Sequence, residues 1–335
     1  MELLVTNFGS FLSKKSERLV LKESGKVVQE IPFHDLKQVV ITTKGVSLST
    51  DVIKECVQHG IDIAFLSYNG EPYAKLISPA LTGTVKTRRE QLMAYYDDRG
   101  VQLVKLFIEG KLKNQANVLK YFAKYRKGVD AGLFGEISAM VEKVEAGLKE
   151  MAAINGKCID DVRGQLMSVE GRAGYCYWQG IKLLFGDKID FVGREHRGAV
   201  DPVNSLLNYG YGMLKNLVES ALMRAGLDPY AGFMHTDRAG KVSLVYDFVE
   251  EFRQQVVDRV VVAMVNKGIN IKMQEDRLAD EIRRDIAARI RERLETRVSF
   301  QGKQQKIETI IQVQARRVAT FLRGEAKYKP FVGSW

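Results

Sequence analysis

The chain is 335 residues long and 45% hydrophobic, more than one average domain requires and ample for a sizeable core. A formal charge of +10 with a pI near 9.3 favours polyanionic partners such as nucleic acid over acidic small molecules. Three widely spaced cysteines, Cys56, Cys158 and Cys176, form no CxxC pair, so neither a disulfide framework nor a structural zinc site is indicated and a reducing cytoplasm is the expected location.

The opening MELLVTNFGS has no basic stretch leading into an apolar one, and no segment offers about 18 consecutive apolar residues, so neither secretion nor membrane spanning is expected. From Glu2 to about Leu81 the runs LLVTNFG, FLSKKSERLVLKESGKVVQEIPF, LKQVVITTKG and IDIAFLSYNGEPYAKLIS alternate and read as strands. Gly25 in KESGK and Gly70 in SYNGEP supply the positive φ of tight hairpins. One helix interrupts them, LSTDVIKECVQHG, capped by Ser49 or Thr50 and ended by Gly60. ISPALTGTVKTRRE reads as the linker, and from about Thr87 the period changes to 3.6, as in REQLMAYYDDRGVQLVKLFIEGKLKNQANVLKYFAKY and FGEISAMVEKVEAGLKEMAAI. The expected fold class is therefore α+β: a β-rich, β-sandwich-like domain over 1–82, a linker over 83–90 and a larger, mainly α-helical domain over 91–335.

Two stretches with acidic residues stand out in the helical part. Glu170, in IDDVRGQLMSVEGRAGYCYWQGIKLLF, lies beside the apolar stripe Leu166, Val169, Ala173, Tyr177 and Ile181, where a carboxylate is costly unless paired, protonated or metal-bound. In GFMHTDRAGKVSLVYDFVEEFRQ, Asp247 and Glu250 share a helix face with Glu251 at its edge, downstream of His235 on a polar turn. The second stretch also reads more blandly: Glu250 and Glu251 as solvated charges, Asp247 as punctuation near a helix start, His235 as a surface or hydrogen-bonded histidine. Carboxylates with one imidazole and no thiolate suit Mn²⁺ or Mg²⁺, ions that act on phosphate.

SLVYDFVEEFRQ after GFMHT, together with EGRAGYCYW, DPVNSLLNYGYGMLKNLVESALMRAGLDPYAG and the N-terminal RLVLKESGKVVQEIPFHDLKQVVITTKGVSLSTDVIKECVQHGIDIAFLSYNGEPYAKL, resembles the universal integrase of CRISPR adaptation over nearly the whole chain. The ending RGEAKYKPFVGSW is similar to the tails of type I members, subtype I-C among them. The resemblance implies that Glu170, His235 and Glu250 hold Mn²⁺ or Mg²⁺ and that Asp247 is a nearby essential acid, making all four catalytic. It also implies a homodimer through the β-domains, a small ferredoxin-like partner in a heterohexamer, DNA as substrate, and leaves room for an associated trimming exonuclease. The implied activity is insertion of captured DNA as spacers by 3′-hydroxyl attack on a repeat phosphodiester, with endonuclease activity; a stand-alone nuclease for branched DNA and a non-enzymatic DNA-binding scaffold are the alternatives.

For DNA contact, FVGREHRGAVDPVN offers Arg194, His196 and Arg197 on a glycine-bracketed loop before a helix capped by Asp201; a polar connector is the other reading. Arg253 matches a recurrent family position, with a salt bridge to the acidic face as its structural reading. The basic stretches at 86–90 and 111–127 are further candidates, whereas DEIRRDIAARIRERLETR reads equally as a solvated, internally paired helix. Tyr175, Tyr177 and Trp178 are expected in the core rather than stacked on bases.

Overall fold

The computed structural model describes residues 2–67, 72–76, 84–195, 200–236 and 238–334. The chain divides into two compact units, Met1–Thr82 and Gly83–Trp335. In the first, strands β1 (Glu2–Val5), β2 (Phe11–Lys15), β3 (Arg18–Glu23), β4 (Lys26–Pro32), β5 (Gln38–Ile41), β6 (Ser47–Leu48), β7 (Asp62–Leu66) and β8 (Pro72–Leu76) form two four-stranded sheets, ordered β4-β3-β2-β6 and β1-β5-β7-β8. Leu3, Val39 and Ile63 of the second sheet share one core with Leu12, Leu19, Leu21 and Ile31 of the first. The pairing β1-β5-β7 is parallel, which a hairpin cannot make. Helix α1 (Thr50–Gln58) supplies the crossover from β5 to β7, buries Val52 and Cys56 in the same core, and is capped by Ser49 accepting from the Val52 N–H. Between β3 and β4, Ser24 and Gly25 both have positive φ, 48° and 77°, the two-residue turn that the KESGK pattern predicts. The turn expected at Gly70 lies outside the described residues.

The second unit is helical: α2 (Thr84–Ala94), α3 (Asp98–Ala123), α4 (Ala131–Ala153), α5 (Ile159–Phe185), α6 (Pro202–Arg224), α7 (Ser243–Val249), a π-helical stretch (Gln254–Asp258) running into α8 (Arg259–Asn266), α9 (Asp280–Glu295) and α10 (Ile307–Leu322). Two small hairpins, β9–β10 (Met273–Gln274 and Arg277–Leu278) and β11–β12 (Arg297–Phe300 and Lys303–Lys306), flank α9. Leu166, Val169, Ala173, Tyr177 and Ile181 are all buried on α5, as the stripe predicts. Asp201 caps α6 by accepting from the Asn204 N–H at 2.9 Å, with Pro202 opening the helix. On α9, Arg283 pairs with Asp280 and Arg289 with Asp285, the internally paired reading of that helix. Among the described residues no helix is long and apolar enough to cross a membrane.

Two expectations are corrected. The segment 83–90 is helical from Thr84 onward rather than a linker, because tertiary contacts anchor α2. Gln91 bridges Asp228 and Ala231 by donating to both carbonyls and accepting from the Asp228 N–H, and Arg323 donates to Thr87 Oγ1 at 2.9 Å. Of the three aromatics placed in the core, Tyr177 is fully buried and Trp178 packs against the core, but Tyr175 is exposed, since α5 turns it a half-turn away from Tyr177.

The last ten described residues, 325–334, have no regular structure yet are bound tightly. Buried Asn114 of α3 donates to the carbonyls of Glu251 and Phe331, both at 2.9 Å, and accepts from the Gly333 N–H at 2.8 Å. Glu251, fully buried and expected at the edge of an acidic face, instead receives Gln314 Nε2 at 2.7 Å, the Phe331 N–H at 2.6 Å and the Tyr328 hydroxyl. Burial pushes its carboxyl up to about 7, a rise that these donors reduce. Replacing Asn114 by Ala removes a hydrogen bond from each of three buried backbone groups, and urea denaturation should show a loss on the order of 3 kcal/mol; a loss below about 1 kcal/mol would mean the tail is held elsewhere. Because Glu251 titrates higher folded than at its ordinary 4.5, its contribution is complete below pH 4.5 and is lost as pH rises to about 7. Denaturation at a series of pH values should therefore show a shallower decline over that window in Glu251→Gln than in the parent, and equal slopes would contradict the assignment.

Candidate functional site

The loop before α7 is built onto that helix through one carboxylate. Asp247 is buried, and its Oδ2 accepts from the Phe233 and Met234 N–H groups at 2.7 and 3.0 Å. Its Oδ1 accepts from the His235 N–H at 3.0 Å and lies 2.6 Å from His235 Nδ1. Gly232 permits this approach, since a Cβ there would stand 2.6 Å from Ser243 Cβ and 2.7 Å from the Ser243 carbonyl carbon. Asp247 is thus neither helix-start punctuation nor a solvated charge: it fixes the His235 loop and imidazole together. Nδ1 faces a carboxylate oxygen that can accept a ring N–H, which leaves Nε2, with no hydrogen bond among the described residues, as the nitrogen available to a ligand.

Beyond Val249 the helix leaves its α register. Glu251 and Phe252 bond back three residues, to Phe248 and Val249, and the π-helical turn follows. Such insertions redirect side chains, and here Glu250, Glu251, Gln254, Gln255 and Asp258 are all buried. Each acid finds a different partner set. Asp258 accepts from the hydroxyls of Tyr177 on α5, at 2.8 Å, and Tyr211 on α6.

Glu250 meets Lys111. This lysine is buried on α3, and its ammonium pairs with Glu170 Oε1 of α5 and lies 2.7 Å from Glu250 Oε2. Arg253 pairs with the other oxygen of Glu250 and rests its guanidinium 4.8 Å from the centre of the Tyr211 ring. Burial pushes the Glu250 carboxyl up, but Arg253 and Lys111 outweigh it and, with a smaller effect from His235, hold it down at about 2. Burial likewise pushes the Lys111 ammonium down, while Glu170 and Glu250 raise it on balance, so both partners stay charged. The ion pair lacks hydrogen-bond geometry at Glu250 Oε2, leaving that buried oxygen without a hydrogen-bond partner.

The structure therefore brings Glu170 and Glu250 together on one cationic centre. The donor atoms of Glu170, His235 and Glu250 do not all lie within 4.8 Å of one another; among the described residues only Glu17, Glu55 and His59 meet that spacing, and Glu55 is already paired with Lys14. The chemistry of the set nonetheless fits a hard divalent cation: two carboxylates, one oxygen of which has no hydrogen-bond partner, and one oriented imidazole nitrogen. A scaffold whose acids are solvent decoration is at odds with the burial of Asp247 and Glu250.

The three arginines proposed for DNA fare differently. Arg253 is committed to Glu250, its structural reading. Arg194 donates to Asn204 Oδ1 at 2.9 Å and Asn208 Oδ1 at 2.6 Å and lies over Tyr211, which ties its loop to α6. Arg197 and His196 lie outside the described residues. Lys111 is the residue that sequence reasoning missed, placed instead among surface bases. The signal was available: it falls on the stripe Val104, Phe107, Ile108, Leu112, Gln115 and Val118, all buried, just as Glu170 interrupts the stripe of α5.

Comparison with known proteins adds the family. The model of the family described as CRISPR associated protein Cas1 matches residues 3–292. The CRISPR-associated endonuclease Cas1 1 of Archaeoglobus fulgidus is 40% identical over 347 aligned positions, with both chains covered in full. Among solved structures, a casposase bound to integration product superposes with a TM-score of 0.82 at 24% identity, covering 99% of this chain and 93% of that one. A Cas6-RT-Cas1–Cas2 complex gives 0.75 at 20% identity, covering 99% of this chain and 36% of that one. At these identities the structural likeness shows the fold, two β-sheets followed by helices, whereas the family match and the full-length relative are decisive: this chain belongs to the Cas1 family.

Proposed function

We propose that this protein is the integrase of a CRISPR adaptation module, joining captured DNA to a repeat by metal-dependent transesterification. The observation that carries the reading is the meeting of Glu170 and Glu250, from separate helices, at one buried cationic centre beside an imidazole that Asp247 orients, in a member of this family. Glu170, His235 and Glu250 would hold Mn²⁺ or Mg²⁺, which when bound polarises a phosphodiester oxygen and neutralises charge on the leaving oxygen. Arg253 keeps Glu250 ionised, and Asp247 keeps the His235 proton on Nδ1. The 3′-hydroxyl of the captured fragment attacks the phosphodiester at the leader–repeat junction; one phosphodiester breaks as another forms, so no external energy source is needed.

The casposase bound to integration product supports joining as a chemistry of this fold, and the Cas6-RT-Cas1–Cas2 complex supports a Cas2-type partner; a small ferredoxin-like protein in a heterohexamer is the form proposed for it. Exposed Phe8, Val27 and Val28 give the β-rich unit apolar surface to bury in a homodimer. The I-C subtype rests on the closing residues alone, and the neighbouring genes test it. Endonuclease action is the second reading, favoured by the name of the A. fulgidus relative: the same displacement with water as nucleophile.

Purified protein incubated with a short duplex bearing 3′-hydroxyls and a supercoiled repeat-containing plasmid separates the two: covalent joining supports the integrase, nicking without joining the nuclease. Glu170→Ala, His235→Ala and Glu250→Gln should each abolish joining while leaving most DNA affinity intact, since that affinity comes from Lys and Arg and should fall with salt. Joining retained in any of the three would contradict the ligand assignment.

A further inference from the structure

We propose that Lys111 is a built-in counter-cation for the Glu170–Glu250 pair and that its ammonium and the divalent ion exchange at those two carboxylates, so that Lys111 sets how tightly the site takes its metal. The inference rests on the metal reading above. Three features of the chain lead to it. First, Lys111 is placed by the core rather than by solvent: its neighbours on α3, Phe107, Ile108, Leu112 and Gln115, are buried, and so is its own stem. Second, the ammonium contacts one oxygen of each acid, Glu170 Oε1 and Glu250 Oε2, and the second of these is the oxygen with no hydrogen-bond partner. A cation ligand of Glu250 has the same oxygen open to it, because Arg253 takes the other. Third, the charges match: Lys111 and Arg253 together balance Glu170 and Glu250, and a dipositive ion in the same centre is repelled by Lys111 at close range.

A lysine acting only as a structural tie would behave in the opposite way. Removing a tie loosens both carboxylates and weakens metal binding, whereas removing a competing cation strengthens it. The two roles therefore predict opposite signs for one measurement.

The measurement is Mn²⁺ affinity, read by electron paramagnetic resonance of the free ion, with thermal melting in EDTA and in Mn²⁺ on the same full-length samples. Lys111→Met should bind Mn²⁺ at least about tenfold more tightly than the parent, melt lower in EDTA because buried Glu250 and half-buried Glu170 lose their shared counter-charge, and recover more of its melting temperature when Mn²⁺ is added. Lys111→Arg, which keeps the charge, should stay near the parent affinity. If Lys111→Met does not fold, Lys111→Gln, neutral but able to donate to both carboxylates, provides the same comparison. Affinity equal to or weaker than the parent in the folded neutral variant overturns the exchange and leaves the metal site standing. A parent protein that takes up no Mn²⁺, or whose uptake survives Glu170→Gln, overturns the metal site and the exchange with it.

Discussion

The helical unit is organised around a row of alternating charges, Glu170, Lys111, Glu250 and Arg253, whose middle two members are buried and whose outer two are half-buried, contributed by α5, by α3 and by the segment after α7. None of these groups is tolerable alone in a core, because desolvating one ion costs several kcal/mol that only a well-placed partner offsets. The row is therefore a constraint on the whole fold. The three helical segments must keep their spacing for the charges to compensate, and the same spacing brings the two carboxylates to one centre.

Much of the surrounding polar chemistry maintains that spacing. Asp258, on the π-helical stretch, takes hydroxyls from Tyr177 and Tyr211 and so ties the Glu250 segment to α5 and α6. Tyr211 in turn lies under the guanidiniums of Arg253 and Arg194. On the other side Glu251 and Asn114 draw the C-terminal residues across α3. The departure from α-helical register at 250–258 lets consecutive residues serve these separate partners: an unbroken α-helix would set Glu250, Glu251 and Asp258 closer to one face.

Local order was legible in the sequence wherever neighbouring residues decide it. The hairpin at Gly25, the cap at Ser49 and the cap at Asp201 each depend on a few adjacent positions. Glu170 could be singled out because it interrupts an apolar stripe. Lys111 interrupts the stripe of α3 in the same way, but its position in a run of lysines favoured a surface reading. Asp247 could be singled out by its spacing from Glu250 but its role could not, since it collects three backbone N–H groups from a loop 12 to 14 residues upstream, a contact that no periodicity encodes. Glu251 and α2 share that origin: their partners, Tyr328 and Gln314 for the one and Asp228 and Arg323 for the other, are remote along the chain. Arg194 carried the signature of a phosphate-binding loop, yet two asparagines one turn apart on α6 are what receive it.

The central claim is that the acids from α5 and from the end of α7 share one ion with His235. Crystals grown with Mn²⁺ and recorded at the manganese absorption edge address it directly. The account predicts a single strong anomalous peak in this unit, bonded to oxygens of Glu170 and Glu250 and to Nε2 of His235. A peak elsewhere in the unit, or one bonded to neither of the two glutamates, would contradict it.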